Sequence, residues 1–480
     1  MNFYRALSDI FSKQDELDLT SIDVRKAIFY LAIPLVITNL LQTAYNIADT
    51  IWVGQYSTNA LAAISFAFPL VFFLISFGIG ISIAGSVLVA QRTGSGDEEL
   101  ASLAASQTFV YALLASIILG VVGFFSVEYL LGFFGADKQV LPLATQYMQI
   151  ISLGLFSLFG FTVFNALSRG SGDAVTPMLL MTVSVVLNIV IDPILIFGFT
   201  NNPLFEWVGL SGIQTALYSL TNYTGHGVAG AAYATVFSRT LAFIVGVHIM
   251  FNTNRSITVT IANLKPRMSE LKQILRIGIP ASTSTLSRSI SVNLMLLVVG
   301  LFPTTVVAGY GVGVRIFSVV FLPAIAVGQA VETLTGQNYG ANKKDRINYT
   351  NDYTVKRLFG FLTIFGVITY FIAEPIASIF TNDPQVLNVA KTFLLIVAPT
   401  FGFTGILRTY AGGIRGFGRT ELAAIISITT LGIIRLPVAY YLSKPFGFGP
   451  QGIWYSFAIS NIIGGILALI VFKYLIKTST

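Results

Sequence analysis

The sequence predicts an all-α integral membrane protein with about twelve transmembrane helices, and three observations support this fold class. Of the 480 residues, 54% are hydrophobic and only 10% are charged, whereas a soluble domain carries about 25% charged residues. Apolar runs of about 20 residues, long enough to cross a bilayer as a helix, recur along the chain. The chain has no cysteine, which excludes disulfides and thiolate metal sites. This composition excludes a water-soluble enzyme.

The predicted spans divide evenly between the two halves of the chain. In the first half they cover residues 27–53, 60–91, 103–125, 140–168, 174–198 and 228–251. In the second half they cover residues 274–301, 306–338, 354–374, 386–412, 421–442 and 452–473. The stretch 204–220 is also apolar, but it is short and contains Gly209 and Gly212, so we expect a long outer loop there.

Basic residues mark every second connection between the predicted spans. They are Arg5, Lys13, Arg25 and Lys26; Arg92; Arg169; Arg255, Lys265, Arg267 and Lys272; Lys343, Lys344, Arg346, Lys356 and Arg357; Arg415 and Arg419; and Lys473 and Lys477. The opposite connections hold only Lys138 and Lys444. The positive-inside rule therefore places both termini in the cytoplasm. Because topology explains the net charge of +7, we expect no nucleic-acid partner.

The two halves of the sequence resemble each other at an offset of 246 residues from Pro34 to Gly172, and the offset then slips, so that Pro193 pairs with Pro437. The matched pairs include Pro34 with Pro280, Gln91 with Gln337, Gly94 with Gly340, Arg169 with Arg415, and Gly170 with Gly416. Six spans return the chain to the same side of the membrane, so the halves are expected to be parallel copies. We divide the chain into an N-terminal tail (1–26), an N-lobe (27–252), a linker (253–273) and a C-lobe (274–480).

Such a duplication is typical of secondary transporters, which bind substrate and ions between or within the two halves. The sequence has no G-x-x-x-x-G-K-[ST] phosphate loop, so this chain does not itself hydrolyse a nucleotide. An intramembrane enzyme would need clustered acidic metal ligands or a His/Ser nucleophile constellation at membrane depth, and none is found. A repeat with kinked spans also favours a carrier over a channel. Ion-driven transport is therefore the predicted activity.

Two aspartates lie at membrane depth in the predicted N-lobe, where an ionised side chain is costly. Asp49 is near the outer end of the first span, and Asp192 is in the fifth span with Asn188 one turn deeper. Tyr147 and Thr235 lie at a similar depth, about 10 Å from the outer surface. These five side chains can form one site, in which a shared proton or a bound Na⁺ relieves the repulsion between the carboxylates. Alternatively, each aspartate satisfies a local backbone group or caps a helix.

The internal repeat argues that these carboxylates are not needed to hold the fold together. The equivalents of Asp49 and Asp192 in the second half are Met295 and Leu436. Gln42 and Asn46 lie on the same helical face as Asp49, since the three are spaced by about one turn each.

The predicted C-lobe embeds bases instead of acids. Arg288, Arg315 and Arg435 lie within spans, and we expect them to line a cavity, paired with polar groups or with an anionic group of the substrate. Arg408 is near the inner end of its span, so we expect its side chain to extend to the membrane surface. The alternative for the arginines is a structural pair with Glu332 or with backbone carbonyls.

Together these features resemble the multidrug and toxic compound extrusion (MATE) family. The resemblance rests on two parallel six-span halves, the segment 46–54, the turn Arg169-Gly170-x-Gly172-Asp173 and the motif Asn188…Asp192-Pro193. N-lobe aspartates without acidic partners in spans seven and ten are similar to the DinF-like prokaryotic branch. The resemblance covers the chain from about Val24 to Lys477.

The resemblance implies a V-shaped antiporter that expels amphipathic, often cationic, compounds in exchange for H⁺ or Na⁺. It implies that Asp49, Asn188, Asp192 and Thr235 bind the proton or Na⁺, with Tyr147 in their hydrogen-bond network. Pro34 matches the family's bend in the first span, either as an inherited static kink or as a hinge. Gln42 and Asn165 match cavity positions, and Asn165 follows Tyr147 by five helical turns, which would place both on one face.

We expect a monomer in the prokaryotic plasma membrane, with small amphipathic organic molecules and the bilayer as partners and no cofactor beyond the coupling ion. The main rival is a flippase or exporter for an anionic lipid-linked precursor, a task of distant relatives in the same superfamily. The embedded arginines favour this rival, whereas the absence of spans beyond twelve counts against it.

Overall fold

The structure, a computed structural model, describes residues 18–252 and 258–478. Within these ranges every regular element is helical, as the sequence predicted. Most of the predicted N-terminal tail, with Arg5 and Lys13, lies outside the described residues, as does Arg255 of the predicted linker.

The helices of the N-lobe are strongly apolar, and several of them begin at a polar cap. They are α1 (Val24–Tyr56), α2 (Thr58–Gly94), α3 (Glu98–Phe133), α4 (Leu141–Leu153), α5 (Leu155–Ser171), α6 (Val175–Phe197), α7 (Pro203–Trp207), α8 (Ser211–Thr221) and α9 (Val228–Asn252). The Asp23 side chain accepts a hydrogen bond from the Arg25 amide at 2.8 Å, and the Ser57 hydroxyl accepts one from the Ala60 amide at 3.0 Å. These side chains satisfy backbone donors that the first turns of α1 and α2 leave free.

The helices of the C-lobe repeat this order without counterparts of α7 and α8. They are α10 (Met268–Val299), α11 (Thr304–Gly340), α12 (Lys344–Phe371), α13 (Ala373–Ser378), α14 (Pro384–Val397), α15 (Phe401–Gly416), α16 (Thr420–Ser427), α17 (Leu436–Ser443) and α18 (Pro450–Thr478). A 3₁₀ turn, Ala398–Thr400, joins α14 to α15, and a π-helix, Ile428–Arg435, joins α16 to α17.

Most of these segments are long and apolar enough to cross a membrane. Ten qualify when α14–α15 and α16–α17 each count as one segment, and the bent pair α4–α5 makes an eleventh span. The remaining long helix, α10, has 32 residues, enough to span the bilayer at 1.5 Å per residue. It carries several polar side chains, among them Arg276, Arg288 and Asn293.

The apolar stretch 204–220 is helical, whereas the sequence analysis expected a loop. It forms the short helices α7 and α8, and the exposed Trp207 ring lies 5.0 Å from the ring of Trp52 on α1. The fully buried Asn202 donates hydrogen bonds to the carbonyls of Pro193 at 2.9 Å and Gly198 at 2.8 Å. These contacts stabilise helices that are too short to form alone.

The fourth span is bent, which corrects the expectation that Tyr147 and Asn165 share one helical face. The α4 and α5 axes meet at 53° around Gly154. A side chain at Gly154 would collide with Val236 on α9, so the missing Cβ allows the close approach there. The 3₁₀ turn that ends at Thr400 interrupts the tenth span at the repeat-related position. Five turns of a straight helix therefore do not describe the path between Tyr147 and Asn165.

The two lobes pack against each other at one end, which we call the closed end; it contains the ends of α2 and α11 at Gly94 and Gly340. Here the first half of α1 packs on the last half of α11, where the buried Leu31 meets Ala330. Toward the opposite, open end, α1 and α10 expose apolar side chains such as Ile47. The lobes thus meet at one end and diverge toward the other, the V shape that the resemblance predicted.

Two reciprocal hydrogen bonds join the lobes at the closed end, and we call their four residues the interlobe clasp. Gln91 of α2 donates from Nε2 to the Gly416 carbonyl at 2.8 Å, and Gln337 of α11 donates from Nε2 to the Gly170 carbonyl at 3.0 Å. The donors are related by the repeat, and so are the acceptors. The clasp is therefore pseudo-symmetric, each lobe supplying the same donor and the same acceptor to the other.

Neighbouring residues reinforce the clasp. A Cβ at Gly94 would collide with the Gln337 carbonyl, and a Cβ at Gly340 would collide with the Gln91 carbonyl, so only glycine permits this approach of α2 and α11. Beside them, Arg92 forms an ion pair with Glu270 of α10 at 2.9 Å.

We predict that replacing both clasp glutamines by alanine loosens the closed end. Each hydrogen bond contributes about 1 kcal/mol, so the Gln91→Ala/Gln337→Ala variant should open the closed end roughly 30-fold more often. A single cysteine at the buried Ala330 reports this opening as a faster rate of maleimide labelling in membranes. The chain's lack of natural cysteine keeps the signal specific.

The control is Gln139→Ala, which removes an exposed glutamine near the open end. It should leave the labelling rate of the Ala330→Cys reporter unchanged. An unchanged rate in the double clasp variant would show that these hydrogen bonds do not hold the lobes together.

Candidate functional site

The two N-lobe aspartates meet in the structure. Asp49 on α1 is 9% exposed and Asp192 on α6 is fully buried. Their side chains face each other within hydrogen-bonding reach. Asn188, one turn before Asp192 and also fully buried, donates from Nδ2 to the Asp192 Oδ1 atom at 3.2 Å.

Several oxygens of this site have no hydrogen-bond donor among the described residues. They are the Asp49 Oδ1, the Asp192 Oδ2 and the Asn188 Oδ1 atoms, and each is buried. A buried polar atom without a partner costs about 1–3 kcal/mol. Three unpaired acceptors in one cluster therefore indicate a site for a bound cation or a proton.

Tyr45 also belongs to this site, although the sequence analysis did not single it out. It lies one turn before Asp49 on α1, is 5% exposed, and its hydroxyl is close to Thr235 on α9. Tyr147 on α4 is buried close enough to both aspartates to interact with them electrostatically. The spacing of four residues between Tyr45 and Asp49 was the available signal, but Tyr45 also fits an apolar stripe.

One basic residue, Arg239 of α9, closes the inner side of the site. Its guanidinium lies 4.7 Å from the centre of the Tyr45 ring. It donates from Nη2 to the Gln42 Oε1 atom at 2.7 Å. Gln42 in turn donates to the Asn46 Oδ1 atom at 3.2 Å, and Asn46 is exposed. Of the predicted polar stripe, only Asp49 is therefore buried in the site.

A separate cavity of about 290 Å³ lies between the lobes near the closed end. Both lobes line it, and its polar and charged walls are Thr38, Asn39, Ser82, Thr162, Asn165 and Arg169 from the N-lobe and Ser284, Thr285, Arg288, Gln329, Glu332, Arg408, Arg415 and Thr420 from the C-lobe. Of the predicted cavity residues, Asn165 and Arg288 lie in this wall. Gln42, Asn46, Arg315 and Arg435 are not part of it, and Arg315 is exposed on α11.

Glu332 holds two of the four cavity arginines. Its carboxylate lies 2.6 Å from the Arg415 Nε atom and 3.8 Å from an Arg169 Nη atom. These two arginines are related by the repeat, so Glu332 links the corresponding helix ends of the two lobes. From the sequence, Glu332 was a possible structural partner of the arginines within the C-lobe spans. In the structure its partners are Arg415 and Arg169 instead.

Arg408 faces the cavity, whereas the sequence analysis expected its side chain to reach the membrane surface. Its guanidinium lies 4.2 Å from the centre of the Phe321 ring, and that of Arg288 lies 5.4 Å from the same ring. Arg435, at the end of the π-helix, instead donates to Ser460 at 2.7 Å and Asn461 at 3.0 Å. A π-helix changes the angular register of the side chains along it relative to an α-helix, which sequence periodicity cannot reveal.

Comparison with known proteins assigns the family. The MatE family model matches residues 34–194 and 280–441, more than half of the chain. The two matches begin at Pro34 and Pro280, which are separated by the offset of the internal repeat. The chain belongs to the MatE family. This confirms the resemblance seen in the sequence.

Individual relatives agree with this assignment. The chain is 25% identical to the FAD transporter of Shewanella oneidensis, over 94% of this chain and 95% of that protein. It is 27% identical to the probable multidrug resistance protein NorM of Thermotoga maritima, over 94% of this chain and 92% of that protein. A solved structure of a multidrug resistance MATE family transporter in an outward-facing conformation superimposes with a TM-score of 0.85 and 25% identity, covering 97% of this chain and 98% of that one. The protein is thus a MATE membrane transporter and not an enzyme.

The bend residue expected of a MATE transporter, Pro34, lies where α1 passes from the closed end to the open part of the molecule. It is buried inside α1, and the Thr38 hydroxyl donates to its carbonyl at 2.9 Å. Leu35 next to it is buried between the lobes, whereas Leu40 is 49% exposed. A proline removes one helix hydrogen bond, so α1 is weakened at the point where its surroundings change.

The donor set of the aspartate site fits a monovalent cation. Two carboxylates, an amide oxygen and hydroxyl groups are the oxygen ligands that hard cations prefer. Among the described residues no group of three or more acidic, histidine or cysteine side chains could hold a divalent metal ion.

We predict that Asp49→Asn stabilises the protein at neutral pH in the absence of Na⁺. The amide of the new side chain can donate to Asp192, and one of two facing negative charges is removed. The gain should be roughly 1–2 kcal/mol, seen as a higher unfolding temperature in detergent. At low pH the gain should shrink, because a protonated carboxyl already supplies the donor.

The matched control is Glu128→Gln, which neutralises an exposed carboxylate near the open end. Its unfolding temperature should stay at the parent value. A lower unfolding temperature for Asp49→Asn at neutral pH would contradict the claim that the two carboxylates face each other with unpaired oxygens.

Proposed function

We propose that this MATE transporter exports small amphipathic organic molecules in exchange for a cation that binds at Asp49 and Asp192. The observation that carries the proposal is the pair of buried, facing carboxylates, each with one oxygen that has no hydrogen-bond donor among the described residues. Such a pair is costly when empty and ionised, so it drives binding of a neutralising cation.

The proposed direction of transport follows from the charges at the closed end. The clasp lies beside connections rich in arginine and lysine, which the positive-inside rule assigns to the cytoplasm. The closed end is then cytoplasmic, both termini are cytoplasmic, and the cleft opens to the outside of the plasma membrane. The outward-facing conformation of the solved relative supports this orientation.

The unpaired oxygens favour Na⁺ over H⁺ as the coupling ion. One shared proton bridges the Asp49 and Asp192 carboxylates but leaves the Asn188 Oδ1 atom without a partner. One Na⁺ can take oxygens from all three side chains, with Thr235 close by as a further ligand. We therefore propose Na⁺ as the preferred ion, with H⁺ as the alternative that the experiment separates.

Alternating access links this site to the clasp. Binding of the ion neutralises the carboxylates of α1 and α6, and the α1 bend at Pro34 transmits the change to the part of α1 that packs on α11. Opening of the closed end then requires the clasp to break. Coupling arises because the ion binds the two conformations with different affinity.

Purified protein in vesicles tests the coupling under separate gradients. With an outward-facing cation site, an imposed Na⁺ gradient at equal pH should drive efflux of a fluorescent organic molecule, and a pH gradient without Na⁺ should drive it at least about 10-fold less. The Asp49→Asn/Asp192→Asn variant should lose gradient-driven efflux, whereas Glu128→Gln should retain it.

Efflux driven equally well by both gradients would reject Na⁺ selectivity. Gradient-driven efflux retained by the double asparagine variant would reject the coupling site itself.

Export of an anionic molecule is a second candidate for the same transporter. It is favoured by the two cavity arginines, Arg288 and Arg408, for which the described part of the chain offers no carboxylate partner. One relative is named an FAD transporter, and FAD carries phosphate groups. The anionic lipid-linked precursor considered from the sequence is one member of this class.

A further inference from the structure

The central cavity carries an excess of positive charge. Four arginines and one glutamate line it, so three positive charges remain when all five side chains are ionised. Glu332 is already held by Arg415 and Arg169. Two of the three excess charges therefore reside on Arg288 and Arg408, and the group of Glu332 with its two arginines carries the third.

Arg288 and Arg408 have no counter-ion among the residues that the structure describes. No carboxylate of the described residues forms an ion pair with either one, and the Nε atom of each is buried without an acceptor. Both guanidinium groups instead lie over the Phe321 ring, at 5.4 Å and 4.2 Å from its centre. A stack on one aromatic ring offsets only part of the cost of burying two like charges.

The fold does not need cations at these two positions. The repeat places Gln42 at the N-lobe equivalent of Arg288 and Thr162 at that of Arg408, and both are neutral. Apart from Arg169, which lies beside Glu332, the N-lobe wall of the cavity is neutral, with Asn39, Ser82 and Asn165 in it. Binding of a ligand by the two arginines explains why these positions are charged, whereas packing of the lobes does not.

We propose that Arg288 and Arg408 bind a carboxylate or phosphate group of the transported molecule, with Phe321 holding both guanidinium groups in place. Arginine is suited to such groups because its planar fork of donors matches their oxygens. Apolar walls at Leu35, Ile79 and Ile325 receive the hydrophobic part of the molecule. This deepens the proposed function by naming the charge of the cargo, and it reverses the cationic cargo that the family resemblance implied.

The cavity volume limits the size of the enclosed part. About 290 Å³ is at the lower end of the range for small-molecule pockets. The site therefore encloses one charged head group with a small ring system, and longer portions extend into the open cleft. A free organic anion and an anionic lipid head group share this chemistry.

Two xanthene dyes of similar size and opposite charge test the charge preference. Carboxyfluorescein is anionic and rhodamine 123 is cationic, and fluorescence anisotropy measures the binding of each to purified protein in detergent without any gradient. The parent protein should bind carboxyfluorescein more tightly. Arg288→Gln and Arg408→Gln should each weaken that binding about 10-fold, and the double variant roughly 100-fold, with rhodamine binding unchanged or stronger.

Matched variants separate charge from folding. Arg276→Gln removes an exposed arginine from the same helix as Arg288 and should leave both dyes at parent affinity. Arg288→Lys/Arg408→Lys keeps the charges and should retain more carboxyfluorescein affinity than the glutamine pair. If the Arg288→Gln/Arg408→Gln variant loses the same amount of affinity for both dyes, the proposal is overturned. A parent protein that binds rhodamine 123 more tightly than carboxyfluorescein would also overturn it.

The source of the anion is tested in nanodiscs. If the natural ligand is a lipid head group, phosphatidylglycerol nanodiscs should suppress carboxyfluorescein binding relative to phosphatidylcholine nanodiscs, and the glutamine variants should abolish this difference. If it is a free anion, affinity should be equal in both lipids and remain dependent on the arginines. Because these measurements need no ion gradient, they can fail while Na⁺ coupling holds, and the reverse is also true.

Discussion

The reciprocal hydrogen bonds between Gln91 and Gly416 and between Gln337 and Gly170 are the contact on which our account of the transporter rests. They bring the two lobes together at a single end, and glycines at 94 and 340 allow the main chains to approach closely there. The cavity lies directly beside this contact. Because, within the described residues, the lobes are joined at this end alone, a cleft is open between them at the other end. Because the bonds link repeat-related residues, the same duplication that built the two lobes also built their contact.

The two lobes share one architecture but carry opposite buried charges. In the N-lobe, Asp49 and Asp192 face each other, and each has a buried oxygen without a donor among the described residues. In the C-lobe, Arg288 and Arg408 share a ring and lack acceptors. We infer that each lobe binds a different partner, a cation in the N-lobe and an anionic group at the C-lobe wall. An exchanger needs two ligands with opposite effects on the same equilibrium, and separate sites of opposite charge provide them.

Much of this arrangement could be predicted from the sequence because spans and repeats depend on local patterns. Apolar runs of sufficient length located the helices, and the constant offset identified the residues that later proved to form the clasp. The proximity of Asp49 and Asp192 followed from helix depth and face. Features that depend on contacts between helices could not be predicted. The bend at Gly154 depends on Val236, and the inward direction of Arg408 depends on Phe321.

Other misses have similar physical causes. Tyr45 was indistinguishable from an apolar core residue until Thr235 and Asp49 were placed beside it. Arg435 is turned by a π-helix that no periodicity shows, and it bonds to Ser460 and Asn461 outside the cavity. The helices α7 and α8 are too short to be recognised alone and are stabilised by the buried Asn202. In each case a tertiary contact outweighs the local pattern.

The most direct test of alternating access is a reversible crosslink across the closed end. The Ala90 Cβ atom lies 2.9 Å from the position of a Cβ at Gly336, which is within about 1 Å of the separation in a disulfide. In the Ala90→Cys/Gly336→Cys variant, oxidation should form the disulfide and stop efflux, and a reductant should restore efflux to the level of the single-cysteine variants. Undiminished efflux by fully crosslinked protein would contradict the central claim that transport requires the closed end to open.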